Sequence, residues 1–262
     1  MTQHRPRKRF GQHFLHDRIV IDRIIAAIDP KPGELLIEVG PGTGALTLPL
    51  LHRLGILHVL EVDRDLARNL TERCQGLGEL HMHCQDALTF NFCQISDSEL
   101  RVVGNLPYNI STPFIFHLLD YLHCIKDMLF MLQKEVVERL NAGPGNKIYG
   151  RLSVMVQTRC RVEKLFTVGA GAFTPAPKVE SAIVRLIPHE RPVAEITDHD
   201  IFANVVKKSF MQRRKTLRNA LKELLSEKQI RSLGIDPGNR AERLTINDFA
   251  ALANCCHNYK NQ

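Results

Sequence analysis

Hydrophobic and polar positions alternate along the chain with two periods, and the switch between them marks out the elements. Residues 18–29, "RIVIDRIIAAID", repeat their apolar positions at helical spacing and predict an opening helix. "ELLIEVG" (34–40) reads as a short buried strand, followed by a glycine turn and a helix over "ALTLPLLHRL". Strands are then expected at 56–62, 79–86, 100–106 and 127–133, with helices at about 64–75 and over "STPFIFHLLDYL". Strand and helix taking turns in this way predict an α/β fold, a parallel sheet with helices on both faces. "RLSVMVQTRC", "RVEKLFTV" and "SAIVRLIP", within 152–188, read as closing strands, one of them antiparallel. After a polar connection at 188–200, the pattern is helical to the end, with helices expected at about 201–210, 213–226, 227–233 and 246–256. The chain therefore divides into a larger domain, 1–190, and a small all-α domain, 191–262, as its 262 residues suggest.

Composition changes this picture little, but charge does. No stretch approaches the roughly 18 apolar residues of a membrane span, and "MTQHRPRKRF" lacks the apolar core of a secretory signal. Seven scattered cysteines show no CxxC pair and no zinc-like pairing with nearby histidines. They predict free thiols in a reducing cytoplasm rather than a disulfide framework, and no metal site. The net charge is +7 and unevenly spread. Four of residues 5–9 are basic, among them Arg7, Lys8 and Arg9. From Lys207 to Lys222 there are seven basic residues and no acid, including Lys208, Arg213, Arg214, Lys215 and Arg218. A one-signed patch of this kind suits a polyanion, and nucleic acid above all.

The candidate chemistry sits where strands end. "IEVGPGTGALT" puts Glu38, Gly40, Gly42 and Gly44 between a strand and a helix, where backbone can approach a ligand closely. Glu61 closes the next strand 21 residues after Gly40, in position to accept hydrogen bonds from ribose hydroxyls. Gln85, Asp86 and Ala87 end the third strand and offer acceptors to an adenine amine. Gly40, Gly42 and Ala45 also satisfy G-x-G-x-x-A, so a dinucleotide such as NAD, and with it an oxidoreductase, competes. The negative charge of Glu38 suits a cationic sulfonium and amino group better than a pyrophosphate, and favours S-adenosylmethionine.

The fourth strand ends in Asn105-Leu106-Pro107-Tyr108. An adenine amine is a poor nucleophile because its lone pair is delocalised into the ring. An amide oxygen and a rigid carbonyl accepting its two N–H bonds would draw the nitrogen toward a pyramidal geometry. Proline fixes that backbone, and the phenol ring offers a stacking face.

These motifs carry a resemblance. "RKRFGQHFL", "EVGPGTG", "LEVDRD", "QDAL", "GNLPYNIST", "FMLQKEVVERL" and "FTPAPKVESAIVRL" resemble the successive motifs of the ribosomal RNA adenine dimethyltransferases, over essentially the whole chain. The basic start and "MQRRKTLRNAL" are most similar to the small-subunit branch; resistance-type enzymes of the large subunit share the "NLPYNIST"-like residues. The resemblance implies a Rossmann-like class I methyltransferase sheet, with cofactor contacts at His13, Leu15, Gly40, Glu61, Asp86 and Asn105. Many relatives carry Asn where this chain has His13. It further implies that Asn105, the Leu106 carbonyl and Tyr108 hold the target amine, with Phe173 stacking on the flipped base from the other side. The implied activity is dimethylation of N6 on two adjacent adenosines near the 3′ end of 16S ribosomal RNA. The implied partner is a 30S subunit or its precursor, met by a monomer in the cytoplasm. A role as an RNA-binding assembly factor is compatible with the same basic surface.

Overall fold

In a computed structural model, which describes residues 13–260, the chain forms two compact units. Among the described residues, the first comprises 13–137 and 163–188; the second comprises 138–162 and 189–260. This division differs from a single cut near residue 190, because a helical segment from the middle of the chain joins the C-terminal unit. The basic start, with Arg7, Lys8 and Arg9, lies outside the described residues.

The first unit is built on a seven-stranded sheet. Its strands are β2 (Leu36–Val39), β3 (Ile56–Leu60), β4 (Glu79–His83), β5 (Leu100–Asn105), β6 (Ile125–Gln133), β7 (Cys160–Val168) and β9 (Ser181–Pro188), in the order β4-β3-β2-β5-β6-β9-β7. The pairs from β4 through to β6 are parallel, while β6 and β9 are antiparallel, with Phe130 opposite Val184. A separate ribbon pairs β1 (Phe14–Leu15) antiparallel with β8 (Phe173–Thr174). The central strands β2 and β5 are apolar on both faces because helices cover both; Leu36, Ile37, Val39, Val102 and Val103 are buried.

Helix α1 (Arg18–Ile28) starts where the Asp17 carboxylate accepts the N–H groups of Ile19 (2.9 Å) and Val20 (3.2 Å). It packs Ile24, Ile25 and Ile28 into the core. Helices α2 (Thr47–Leu54), α3 (Arg64–Arg73) and α4 (Ser111–Leu118) follow their strands. At the opposite end of the sheet from the strand carboxyl ends, Arg101 is buried. It donates to Asp127 (2.7 and 3.0 Å), Glu34 (2.7 Å) and the Ile28 carbonyl (2.7 Å), joining α1 to β5 and β6.

The predicted order of elements holds with three corrections. "RLSVMVQ" forms helix α6 (Arg151–Gln157) rather than a strand, and "KEVVERLN" forms α5 (Lys134–Asn141). The β-branched content of α6 argues for a strand locally. Burial of Val154 against Phe202 and Val205 in the core of the second unit decides otherwise. Second, the predicted helix at 213–226 shrinks to α8 (Leu217–Ala220), with Gln212–Lys215 forming a turn closed by Lys215 N–H to Gln212 O (2.9 Å). Helices α7 (His199–Met211), α9 (Glu227–Ser232) and α10 (Ile246–Lys260) complete that unit around Phe202, Leu217, Leu221 and Phe249.

The third correction concerns cysteine. Cys93 and Cys124 are joined as a disulfide, with His123 beside them, so the expectation of thiols without a bridge or a nearby imidazole fails there. They are 31 residues apart in sequence and meet only because β4, β5 and β6 bring their connections together. The other five cysteines are free, as expected. No helix among the described residues is long and apolar enough to cross a membrane.

Candidate active site

Four adjacent parallel strands end at one edge, and the residues following them line a single cleft of about 200 Å³. Its walls include His13, Leu15, Glu38, Gly40, Gly42, Glu61, Asp86, Asn105, Leu106, Pro107 and Tyr108. Sequence reasoning named each of these, from stretches up to 95 residues apart, and the sheet order brings them together.

Two of the glycines bring neighbouring segments close at the cleft. Gly42 has φ 57°, and a Cβ there would lie 3.1 Å from the Phe14 ring; Gly104 has room for none, since its Cβ would sit 2.4 Å from the Val39 carbonyl. Gly104 thus lets β5 lie tight against the end of β2, which places Asn105 next to the glycine loop.

Glu38 is 1 % exposed, and its Oε2 accepts from Thr47 Oγ1 at 2.6 Å. Burial pushes its carboxyl up to about 7, opposed by the Thr47 hydrogen bond and helped by the neighbouring Glu61 charge. Glu61 is 6 % exposed and is also raised, chiefly by burial. Its Oε1 accepts the Asp63 N–H at 2.9 Å, which anchors the carboxylate at the mouth of the loop. Asp86 Oδ1 accepts the Leu88 N–H at 2.9 Å, a local turn that holds the side chain at its strand end.

Asn105 Nδ2 donates to the His13 carbonyl at 3.2 Å. His13 Nδ1 donates to the Pro175 carbonyl at 2.7 Å, and its ring stacks on Tyr108 with centroids 5.5 Å apart. The Pro107 carbonyl accepts from the Ile110 N–H (3.2 Å) and Ser111 Oγ (3.0 Å), which closes the turn behind the tetrad. Tyr108 Oη is 2.9 Å from Ser181 Oγ, itself fully buried, and burial raises the phenol's pKa, so the ring is neutral. Phe173 is set apart. It is 3 % exposed, pairs backbone with Leu15 and belongs to the core, so the ring expected to stack on a base does not line the cleft.

Thr47, Phe14 and Ser181 escaped the sequence reading. Thr47 was legible in principle, as a polar residue in the first turn of an apolar helix. Ser181 was not, because its partner Tyr108 is 73 residues away.

The basic cluster also resolves residue by residue. Lys207, Arg213, Arg214, Lys215 and Arg218 are exposed. Arg213 donates to the carbonyls of Lys147 and Tyr149, and Lys208 pairs with Glu223, just beyond the acid-free stretch.

A glycine loop, two buried carboxylates and an Asn-Leu-Pro-Tyr turn at the carboxyl edge of this sheet define a methyltransferase of the Rossmann-like class. A family model described as ribosomal RNA adenine dimethylase matches residues 3–258, and the chain belongs to that family. It is 58% identical to a ribosomal RNA small subunit methyltransferase A from Nitrosococcus oceani, covering 95% of each chain, and 54% identical to one from Pseudomonas fluorescens, covering 96% of this chain and 93% of that one. A dimethyladenosine transferase of known structure from Plasmodium falciparum is 29% identical with a TM-score of 0.77, covering 92% of this chain and 96% of that one. A 23S rRNA methyltransferase shares the fold, with a TM-score of 0.73 at 24% identity, covering 93% and 99%.

Proposed function

We propose that the protein dimethylates the exocyclic N6 amine of two adjacent adenosines near the 3′ end of small-subunit (16S) ribosomal RNA, in a 30S subunit or its precursor. The observation that carries this reading is the convergence of Glu38, Glu61, Asp86 and Asn105–Tyr108 on one cleft. The donor set fits S-adenosylmethionine. Two buried carboxylates lining the cleft suit a cation better than a pyrophosphate, which supports S-adenosylmethionine over NAD. Glu38, Gly40, Gly42, Glu61, Asp86, His13 and Leu15 would hold it, and it would supply an electrophilic methyl group.

The chain's own work is positioning and electrostatics. With its Nδ2 engaged by the His13 carbonyl, Asn105 turns Oδ1 toward an incoming amine. Oδ1 and the Leu106 carbonyl accept the two N–H bonds, freeing the lone pair and offsetting the positive charge that develops on nitrogen. Tyr108, held by Ser181 and His13, provides the stacking face. The proton turns acidic only as the new bond forms, so no strong base is required. The adenosine leaves its stack at a cost of a few kcal/mol. The second unit would grip RNA phosphates through Lys207, Lys208, Arg213, Arg214, Lys215 and Arg218, in keeping with a cytoplasmic enzyme that meets its subunit as a monomer. Labelled S-adenosylmethionine supplied with small subunits that lack the modification should yield N6,N6-dimethyladenosine, identified by mass. Absence of that nucleoside would refute the reading.

A further inference from the structure

Cys93, His123 and Cys124 place two sulfurs and one imidazole nitrogen within 4.8 Å of one another, in the first unit and outside the cleft. Cys93 Sγ lies 3.3 Å from His123 Nε2, and the Cα atoms of the two cysteines are 5.6 Å apart. In a tetrahedral zinc site, bonds of about 2.3 Å to sulfur and about 2.0–2.1 Å to nitrogen put neighbouring donors about 3.5–3.8 Å apart. The imidazole contact is already near that value, and the sulfurs reach it by side-chain rotation once their bond is opened.

We infer that the reduced Cys93–Cys124 pair and His123 form a three-donor site for Zn²⁺. A thiol reductant opens the bridge with two electrons and two protons, leaving two thiols. Capture of Zn²⁺ by both sulfurs and His123 Nε2 then releases those two protons. The product, two thiolates and a neutral imidazole on a divalent ion, carries no net charge, which suits the buried Cys124. Soft sulfur donors select zinc over magnesium or calcium. With three protein ligands, a fourth position stays open to water, so binding is weaker than in a closed structural site.

The location gives the site a consequence. Cys93 sits in the turn 92–94, capped by Asn91, whose Oδ1 accepts the Cys93 N–H at 3.1 Å. That turn follows the Gln85–Ala87 segment that walls the cleft, while His123 and Cys124 immediately precede β6. A bound ion ties that wall to the base of β6.

The test uses the full chain, reduced with a phosphine and freed of metal without oxygen, then titrated with Co²⁺. One equivalent should bind with thiolate-to-cobalt charge-transfer absorption, and Zn²⁺ should displace it. Cys93→Ser should abolish that absorption. His123→Ala, at an exposed position, should weaken Zn²⁺ binding at least about tenfold, since a direct ligand matters no less than a supporting one. Wild-type protein that binds Zn²⁺ no better than Cys93→Ser would overturn the inference. So would a bridge that stays closed in the reductant.

Discussion

The amide nitrogen of Asn105 donates to the backbone carbonyl of His13 at 3.2 Å, across 92 residues of sequence. In the proposed mechanism this contact orients the amide: with Nδ2 committed to the His13 carbonyl, Oδ1 is the end left to receive a substrate N–H. Asn105→Ala should therefore bind S-adenosylmethionine within a few-fold of wild type yet transfer methyl groups at least about a hundredfold more slowly, the scale of losing one preorganised dipole. Calorimetry and single-turnover methylation separate the two effects. Near-normal turnover at saturating substrate would remove Asn105 from the chemistry.

Glu38, as a proposed cofactor contact, should link cofactor binding to pH. Its folded pKa of about 7 lies above the ordinary carboxylate value, so the folded apo-protein holds a proton that the unfolded chain gives up. The stability of the free protein should fall as pH rises from about 4.5 to about 7. A bound cation favours the carboxylate, so S-adenosylmethionine binding should release a proton and tighten by up to about tenfold per pH unit until about pH 7, then level off. In Glu38→Gln that slope should vanish. A slope unchanged by the substitution would place the proton elsewhere.

Glu61 lines the same cleft, where its proposed role is to accept hydrogen bonds from the ribose. Glu61→Gln keeps the shape but loses charge-assisted acceptance, which is worth roughly 1.5–3 kcal/mol per bond before solvent compensation. Cofactor affinity should drop tenfold or more by this arithmetic, while binding to ribosomal RNA stays unchanged. Equal weakening of both ligands would count against a ribose site.

In the helical unit, Arg213, Arg214 and Lys215 lie on a turn rather than a helix face, exposed in consecutive positions. Replacing all three with Gln should weaken binding to small subunits and reduce the log–log salt slope by roughly 0.7–0.9 for each phosphate no longer neutralised. Filter binding across a salt series reads this directly. A wild-type slope in the triple variant would mean that the turn is only solvated.

Arg101 bears on stability alone. Arg101→Ala strands Asp127 and Glu34 beside a buried hole and should destabilise the protein by about 3–5 kcal/mol in chemical denaturation. Kinetics in the folded range should be unaffected, since the residue lies at the far end of the sheet from the cleft.

The alternation of elements, the α/β class and the strand-end motifs are all legible along the chain alone. Burial period and turn residues are local, and glycine, proline and paired acids at strand ends have few other uses. The sequence also identified the cleft residues individually, because each motif sits within a few positions of its own strand. What it left undecided was set by interactions between distant segments. "RLSVMVQ" has the composition of a strand, yet burial against Phe202 and Val205 makes it a helix. The basic run at 213–215 has a helical pattern, yet the carbonyls of Lys147 and Tyr149 engage Arg213 in a turn. Lys208 looks unopposed until Glu223 folds back onto it. Phe173 reads locally as a ring free to stack, whereas the fold sets it opposite Leu15 with 3 % exposure. Ser181 behind Tyr108, and Cys93 beside the adjacent His123 and Cys124, are invisible along the chain because only the tertiary fold makes them neighbours.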